Sequence, residues 1–225
     1  MYKYTKLIFD ADNTLFDFDR AEKTALLNTL THFGMPSPVG LLDFYRAMNT
    51  ELWQQLDAKT ISIAQLKRYR ATKLFEFVGQ HQDPHLFSLH YLDELAQCQY
   101  LLQHVELTLE KLSPHCEMAV ITNGLVQVQK PRFENSRIKQ YFGAMVISEE
   151  LGVSKPDPAI FAHTCEMMQW HEPSEVLMVG DNYPCDIQGA ANFGMQTCWF
   201  NLRQQAHEYS DHDHEIHCFD QLLLL

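Results

Sequence analysis

Short apolar runs recur along the chain and predict strands. They are "KLIFDA" (6–11), "EMAVIT" (117–122), "AMVIS" (144–148), "EVLMVG" (175–180), "TCWF" (197–200) and "EIHCF" (215–219). Most are continuous rather than alternating, which is the pattern of strands covered on both faces, as in a parallel sheet. Between them apolar residues recur at helical spacing. "PDPAIFAHTCEMMQW" reads as a helix with Asp157 as N-cap and Pro158 in the first turn. "IQGAANFG" reads as another, stopped by Gly194. "LVQVQKPRFENSRIKQYF" reads as a third, in which Pro131 predicts a late start or a bend, because proline removes a helical hydrogen bond and clashes with the preceding turn. Alternating β and α elements predict an α/β fold with a doubly wound parallel sheet.

The alternation breaks once. Roughly a hundred residues separate the first two strands, too many for a loop in a compact domain. They carry helical patterns such as "FYRAMNTELWQQL" and "ISIAQLKRYRATKLFEFV". Residues 16–100 are therefore expected to form an α-helical cap domain, inserted into a core made of 1–15 and 101–225.

Composition narrows the function classes. The 225 residues carry a formal net charge of -12, which argues against a nucleic-acid partner held over a broad surface. A small anion in a local pocket remains compatible. No apolar run reaches membrane-spanning length, and "MYKYTKLIFD" is too weakly apolar for a secretory leader. Six cysteines are scattered without a zinc-type spacing and read as reduced thiols. Together these predict a cytoplasmic protein, as a monomer or a small homo-oligomer. The tail "HEYSDHDHEIHC" (207–218) is rich in His and Asp, but without ordered ligand spacing it reads as an exposed polar loop.

Candidate chemistry sits at the strand ends. In "LIFDADNTLFDFD" four aspartates, Asp10, Asp12, Asp17 and Asp19, follow the first apolar run. In extended chain Asp10 and Asp12 face one side, and two carboxylates in one small volume repel unless a cation joins them. A polar turn closing a strand uses the same residue types and is the competing reading. A calcium-binding loop is excluded, because the sixth and twelfth positions are Leu15 and Ala21 rather than Gly and Glu. "VITNG" offers Thr122 and Asn123 before a helix, where an anion can be hydrogen-bonded, or an ordinary turn can form. "VSKPDP" offers Lys155, either a phosphate-binding point charge or a surface lysine. "VLMVGDNYPCD" offers Asp181 and Asp186 as metal ligands or caps. Singly these signals are weak. Together they fall at the C-terminal ends of strands that a doubly wound sheet brings to one crevice.

"DADNT", "TNG", the lysine of "SKPDP" and "GDNYPCD" resemble, in order, the four motifs of the haloacid dehalogenase superfamily, a likeness spanning nearly the whole chain. The segment "NTELWQQLDAKTISIAQLKRYR" is similar to the helical cap of that superfamily's pyrimidine 5′-nucleotidases, through Asn49, Trp53 and Arg70. The resemblance implies a Mg²⁺-dependent phosphomonoester hydrolase acting through an aspartyl-phosphate. Asp10 is then the nucleophile and Asp12 the general acid and base. Asp10, the Asp12 carbonyl and Asp181 hold the metal with support from Asp186, and Thr122, Asn123 and Lys155 hold the phosphoryl group. The dehalogenating branch lacks an acid at the position of Asp12. The implied substrate is a nucleoside monophosphate, pyrimidine by preference, read by Asn49, Trp53 and Arg70, with Phe44, Tyr45 and Arg68 as further contributors. Another small ester such as a sugar phosphate or phosphoglycolate, a phosphomutase, and an inactive binding protein are the alternatives. Asp17 and Asp19 fall where the chain leaves the sheet and read as connection residues.

Overall fold

A computed structural model describes residues 2–204 and 208–225. His207, which opens the polar tail, lies outside the described residues. The chain divides into two units, Met1–Phe18 with Gln99–Leu225, and Asp19–Cys98. The second is slightly shorter than the 16–100 read from the sequence.

The first unit is a six-stranded sheet in the order β3-β2-β1-β4-β5-β6. The strands are β1 Lys6–Phe9, β2 Glu117–Thr122, β3 Ala144–Ile147, β4 Val176–Gly180, β5 Gln196–Phe200 and β6 His214–Ile216, and every pairing is parallel. Leu7, Phe9, Met118, Val120, Leu177 and Val179 face one apolar layer, with Leu109, Phe133 and Phe219. Ile8, Ala119, Ile121, Val176 and Met178 face the other, with Ile160, Phe161 and Trp170. Alternate residues of β1, β2 and β4 thus enter opposite cores, which is why these strands are apolar except at their ends. The strand order reverses beside β1, whose neighbours are β2 and β4, and such a switch point opens a crevice at the C-terminal strand ends.

Three predicted strands end earlier than expected. β1 stops at Phe9 rather than 11, because the chain turns there: the amides of Leu15 and Phe16 both donate to the Ala11 carbonyl, at 3.0 and 2.9 Å. Asn13 holds that turn at φ 59, a left-handed conformation that asparagine tolerates. β3 stops at Ile147, because Ser148 opens a short helix. β6 stops at Ile216, and Phe219 begins a 3₁₀ turn to Leu224. The helix expected to start late or bend at Pro131 runs Val126–Glu134, with Pro131 inside it. Its start is fixed instead by the Glu149 carboxylate, which accepts from the Val126 amide at 2.6 Å.

The second unit is helical. It comprises the helices Leu41–Asp57, Ile63–Val78 and Pro84–Gln97, with most of Phe18–His32. In chain order the helices Phe18–His32, Leu41–Asp57, Ile63–Val78, Pro84–Gln97, Val105–Leu112, Val126–Glu134, Ser148–Leu151, Pro158–Met168 and Gly189–Phe193 are α1 to α9. Ser62 and Gln65 form a reciprocal capping box at the start of α3, and Asp83 caps α4, each satisfying amides that a helix start leaves free. No described helix is long and apolar enough to cross a membrane.

Candidate active site

The site is built at the ends of β1, β2 and β4. Asp10 follows β1, and its amide donates to the Val179 carbonyl at 2.9 Å. Asp181 follows β4. Asp186 lies in a π-helical turn, Tyr183–Gln188, and folds back so that its Oδ2 accepts from the Asn182 amide at 3.0 Å. A Cβ on Gly180 would lie 2.3 Å from that oxygen, so only glycine leaves room for the carboxylate. Acidic oxygens of Asp10, Asp181 and Asp186 all lie within 4.8 Å of one another.

Lys155 reaches this cluster from the loop between α7 and α8. Its Nζ donates to Asp10 Oδ1 at 2.6 Å and to the Ile121 carbonyl at 3.0 Å, and ion-pairs with Asp186 Oδ1 at 2.7 Å. The loop is braced by Asn123. Its Oδ1 accepts from the Lys155 amide and its Nδ2 donates to the Lys155 carbonyl, both at 2.9 Å. Asn123 therefore acts on Lys155 through its side chain, which leaves its backbone as the group that can meet an anion. Thr122 Oγ1 accepts from the Gly124 amide at 3.1 Å, so its own hydroxyl proton stays available to a ligand.

The charges do not balance. Three carboxylates face one ammonium. Burial pushes the Asp10 carboxyl up to about 7, against the pull of Lys155 and with the push of Asp186 and Asp12. Burial, then Asp10 and Asp186, hold the Asp181 carboxyl well above its ordinary range. Burial alone would lower the Lys155 ammonium, but Asp10 and Asp186 together outweigh it and raise it. This excess of clustered oxygen ligands fits a hard divalent cation. An acid whose folded pKa is raised holds a proton that the unfolded chain has released. Its stabilising contribution is full below about pH 4 and is lost as pH rises through the folded value. Metal-stripped protein is thus expected to lose thermal stability between about pH 5 and about pH 7. Asp10→Asn should flatten that slope in a pH series of melting curves, and an unchanged slope would contradict the raised Asp10 carboxyl.

Asp12 is placed by the turn after β1 rather than by strand alternation. Its Oδ2 accepts from Gln129 Nε2 at 2.6 Å, and its Oδ1 accepts from Arg132 Nη2. Neither partner stands out in the sequence as part of the site. The usable signal is their spacing: positions three apart on α6 share one face of the helix.

The helical unit collects other predicted residues. Asn49 is buried and donates to Glu22 Oε1 at 2.8 Å. Arg70 is buried with its guanidinium 4.6 Å from the Tyr91 ring centre. Burial raises the Glu22 carboxyl, against the pull of Asn49, Arg46 and Arg70. Asn49 Oδ1 and Arg70 Nη2 are buried without a hydrogen bond among the described residues. Trp53, one turn along α2 from Asn49, is half-buried. Tyr45 is buried edge-on to Tyr91, Phe44 stacks on Phe77 at 4.2 Å, and Arg68 is exposed.

The family model for haloacid dehalogenase-like hydrolases matches residues 7–200. The chain is 32% identical to the pyrimidine 5′-nucleotidase PynA of Streptococcus pneumoniae, over 98% of this chain and 94% of that one. It is 32% identical to the pyrimidine 5′-nucleotidase YjjG of Escherichia coli, over 90% of this chain and 88% of that one. The crystal structure of YfnB from Bacillus subtilis, bound to magnesium, superposes with a TM-score of 0.91 at 24% identity, over 98% of this chain and 97% of that one. The chain belongs to the haloacid dehalogenase-like hydrolases.

Proposed function

We propose that this hydrolase removes the phosphate of nucleoside monophosphates, pyrimidine ones by preference, with Mg²⁺ as cofactor. One observation carries the substrate class: two relatives named as pyrimidine 5′-nucleotidases match nearly the whole chain, helical unit included. Asp10 attacks phosphorus in line, forming an aspartyl-phosphate as the ester P–O bond breaks. Asp12 gives its proton to the leaving oxygen. As a carboxylate it then takes a proton from the water that attacks phosphorus, which frees Asp10 and inorganic phosphate. Thr122, the Asn123 backbone and Lys155 hold the phosphoryl oxygens, where fixed donors stabilise the charge that develops. Asp10, the Asp12 carbonyl and Asp181, supported by Asp186, would hold Mg²⁺, which supplies positive charge to the phosphoryl oxygens. The Asn49 amide oxygen, the Arg70 guanidinium and Trp53 are the helical unit's candidates for reading the base.

A panel of ribo- and deoxyribonucleotides, sugar phosphates and phosphoglycolate tests this reading. Uridine, cytidine and thymidine monophosphates are expected to give the highest kcat/KM, with activity lost in a chelator and restored by Mg²⁺. Activity that ignored the base and favoured sugar phosphates would overturn the nucleotide assignment.

A further inference from the structure

Gln129 and Arg132 form a closed hydrogen-bonded triangle with Asp12. Gln129 Nε2 donates to one Asp12 oxygen at 2.6 Å, and Arg132 Nη2 donates to the other. The same Arg132 nitrogen donates to Gln129 Oε1 at 2.6 Å, which locks the two donors to each other. Both oxygens of one carboxylate are therefore held by neighbouring turns of a single helix. The Arg132 side chain is fully buried, whereas that of Asp12 is 26% exposed. The carboxylate is gripped from behind and open in front.

Two further features serve this grip. The Arg132 guanidinium lies 4.7 Å from the centre of the Phe16 ring, at the close of the turn that carries Asp12. A Cβ at Gly124 would fall 2.2 Å from Gln129 Nε2, so the glycine before α6 clears the path from Gln129 to Asp12. The arrangement is costly as packing. Arg132 Nε and Nη1 are buried without hydrogen-bond partners among the described residues, and a buried ion pair is often no better for stability than apolar residues of the same volume. Its effect lies in what it does to Asp12. A carboxylate on a turn has two side-chain torsions to fix, and a misplacement of about 1 Å can cost on the order of 10²-fold in rate.

We propose that Gln129 and Arg132 are positioning residues that hold the Asp12 carboxyl in the rotamer from which it exchanges a proton with the leaving oxygen. The proposal rests on the reading of Asp12 as the proton-transfer group. Each carboxyl oxygen has a second lone-pair site. A proton can thus be carried and passed to the leaving oxygen as the P–O bond breaks, while both contacts persist.

The test separates substrates by leaving group. Uridine 5′-monophosphate releases an alkoxide that needs a proton, whereas p-nitrophenyl phosphate releases a phenolate that departs without one. Single-turnover formation of the phosphoenzyme would be measured on both for Arg132→Met, Gln129→Met and Asp12→Asn. Asp12→Asn should lose roughly 10²–10⁴-fold on the nucleotide and far less on the aryl ester. Arg132→Met and Gln129→Met should lose on the order of 10-fold or more on the nucleotide alone, in the limiting rate of phosphoenzyme formation rather than in the nucleotide concentration that half-saturates it. Equal losses on both esters, or no loss, in either Met variant that folds would overturn the positioning role of that residue, provided Asp12→Asn stays selective. If Asp12→Asn itself showed no selectivity, the proton-transfer reading of Asp12 would fall first. Gln129→Met keeps the buried guanidinium in place, so the proposal stays testable if Arg132→Met does not fold.

Discussion

Asp10→Asn is expected to abolish phosphate release while leaving the protein folded. The amide keeps the shape of the side chain but is a poor nucleophile, and losing the attacking group of a covalent mechanism costs on the order of 10⁴-fold or more. Structure predicts the second half of the result. Lys155 loses one of its partners but keeps Asp186 and the Ile121 carbonyl. The exchange removes one of three mutually repelling carboxylates. The melting temperature of metal-stripped Asp10→Asn should therefore equal or exceed that of the parent. Full activity in the variant would remove Asp10 from the mechanism. A collapsed melting temperature would show that its charge is needed for folding.

Lys155→Met reverses the balance and is expected to damage both properties. Asp10, Asp181 and Asp186 would keep their burial and mutual repulsion with no cation among them. Breaking a buried ion pair from one side costs roughly 3–5 kcal/mol. Activity should fall by about 10³-fold or more, because the charge proposed to meet the phosphoryl group is lost as well. Mg²⁺ should raise the melting temperature of this variant more than that of the parent, since a cation then has more charge to neutralise and stabilises only the folded state. Calorimetry with and without Mg²⁺ checks this. An equal Mg²⁺ shift in both proteins would mean that the ion binds away from these carboxylates.

Much of this was legible in the sequence because burial writes itself into composition. Strands covered on both faces must be apolar along their interior positions, so β2 and β4 declared themselves. The strand-end residues were also legible, since Asp10 and Asp181 follow apolar runs and Thr122 closes one, whereas Lys155 stands in the loop between α7 and α8, away from any strand. What escaped lies where local pattern and three-dimensional demand diverge. The turn after Phe9 is made by backbone bonds to the Ala11 carbonyl, and no side-chain periodicity reports a backbone bond. α6 begins well before Pro131, because a distant carboxylate, Glu149, caps its first amide. Arg132 was invisible for a stronger reason. A charged residue on a helix is ordinarily solvated, and only the fold supplies the Asp12 carboxylate and Phe16 ring that take it fully inside.

The reciprocal pair between Asn123 and Lys155 has a consequence for how the site comes into being. Two loops more than thirty residues apart in sequence are joined backbone to side chain, so the lysine's reach is settled before any ligand arrives. Its ammonium, held by Asp10, Asp186 and the Ile121 carbonyl, has little left to reorganise for the phosphate group proposed to bind there, and the entropy of ordering it was surrendered during folding rather than at binding. The amide that touches no reacting atom thus fixes where the site's positive charge will stand.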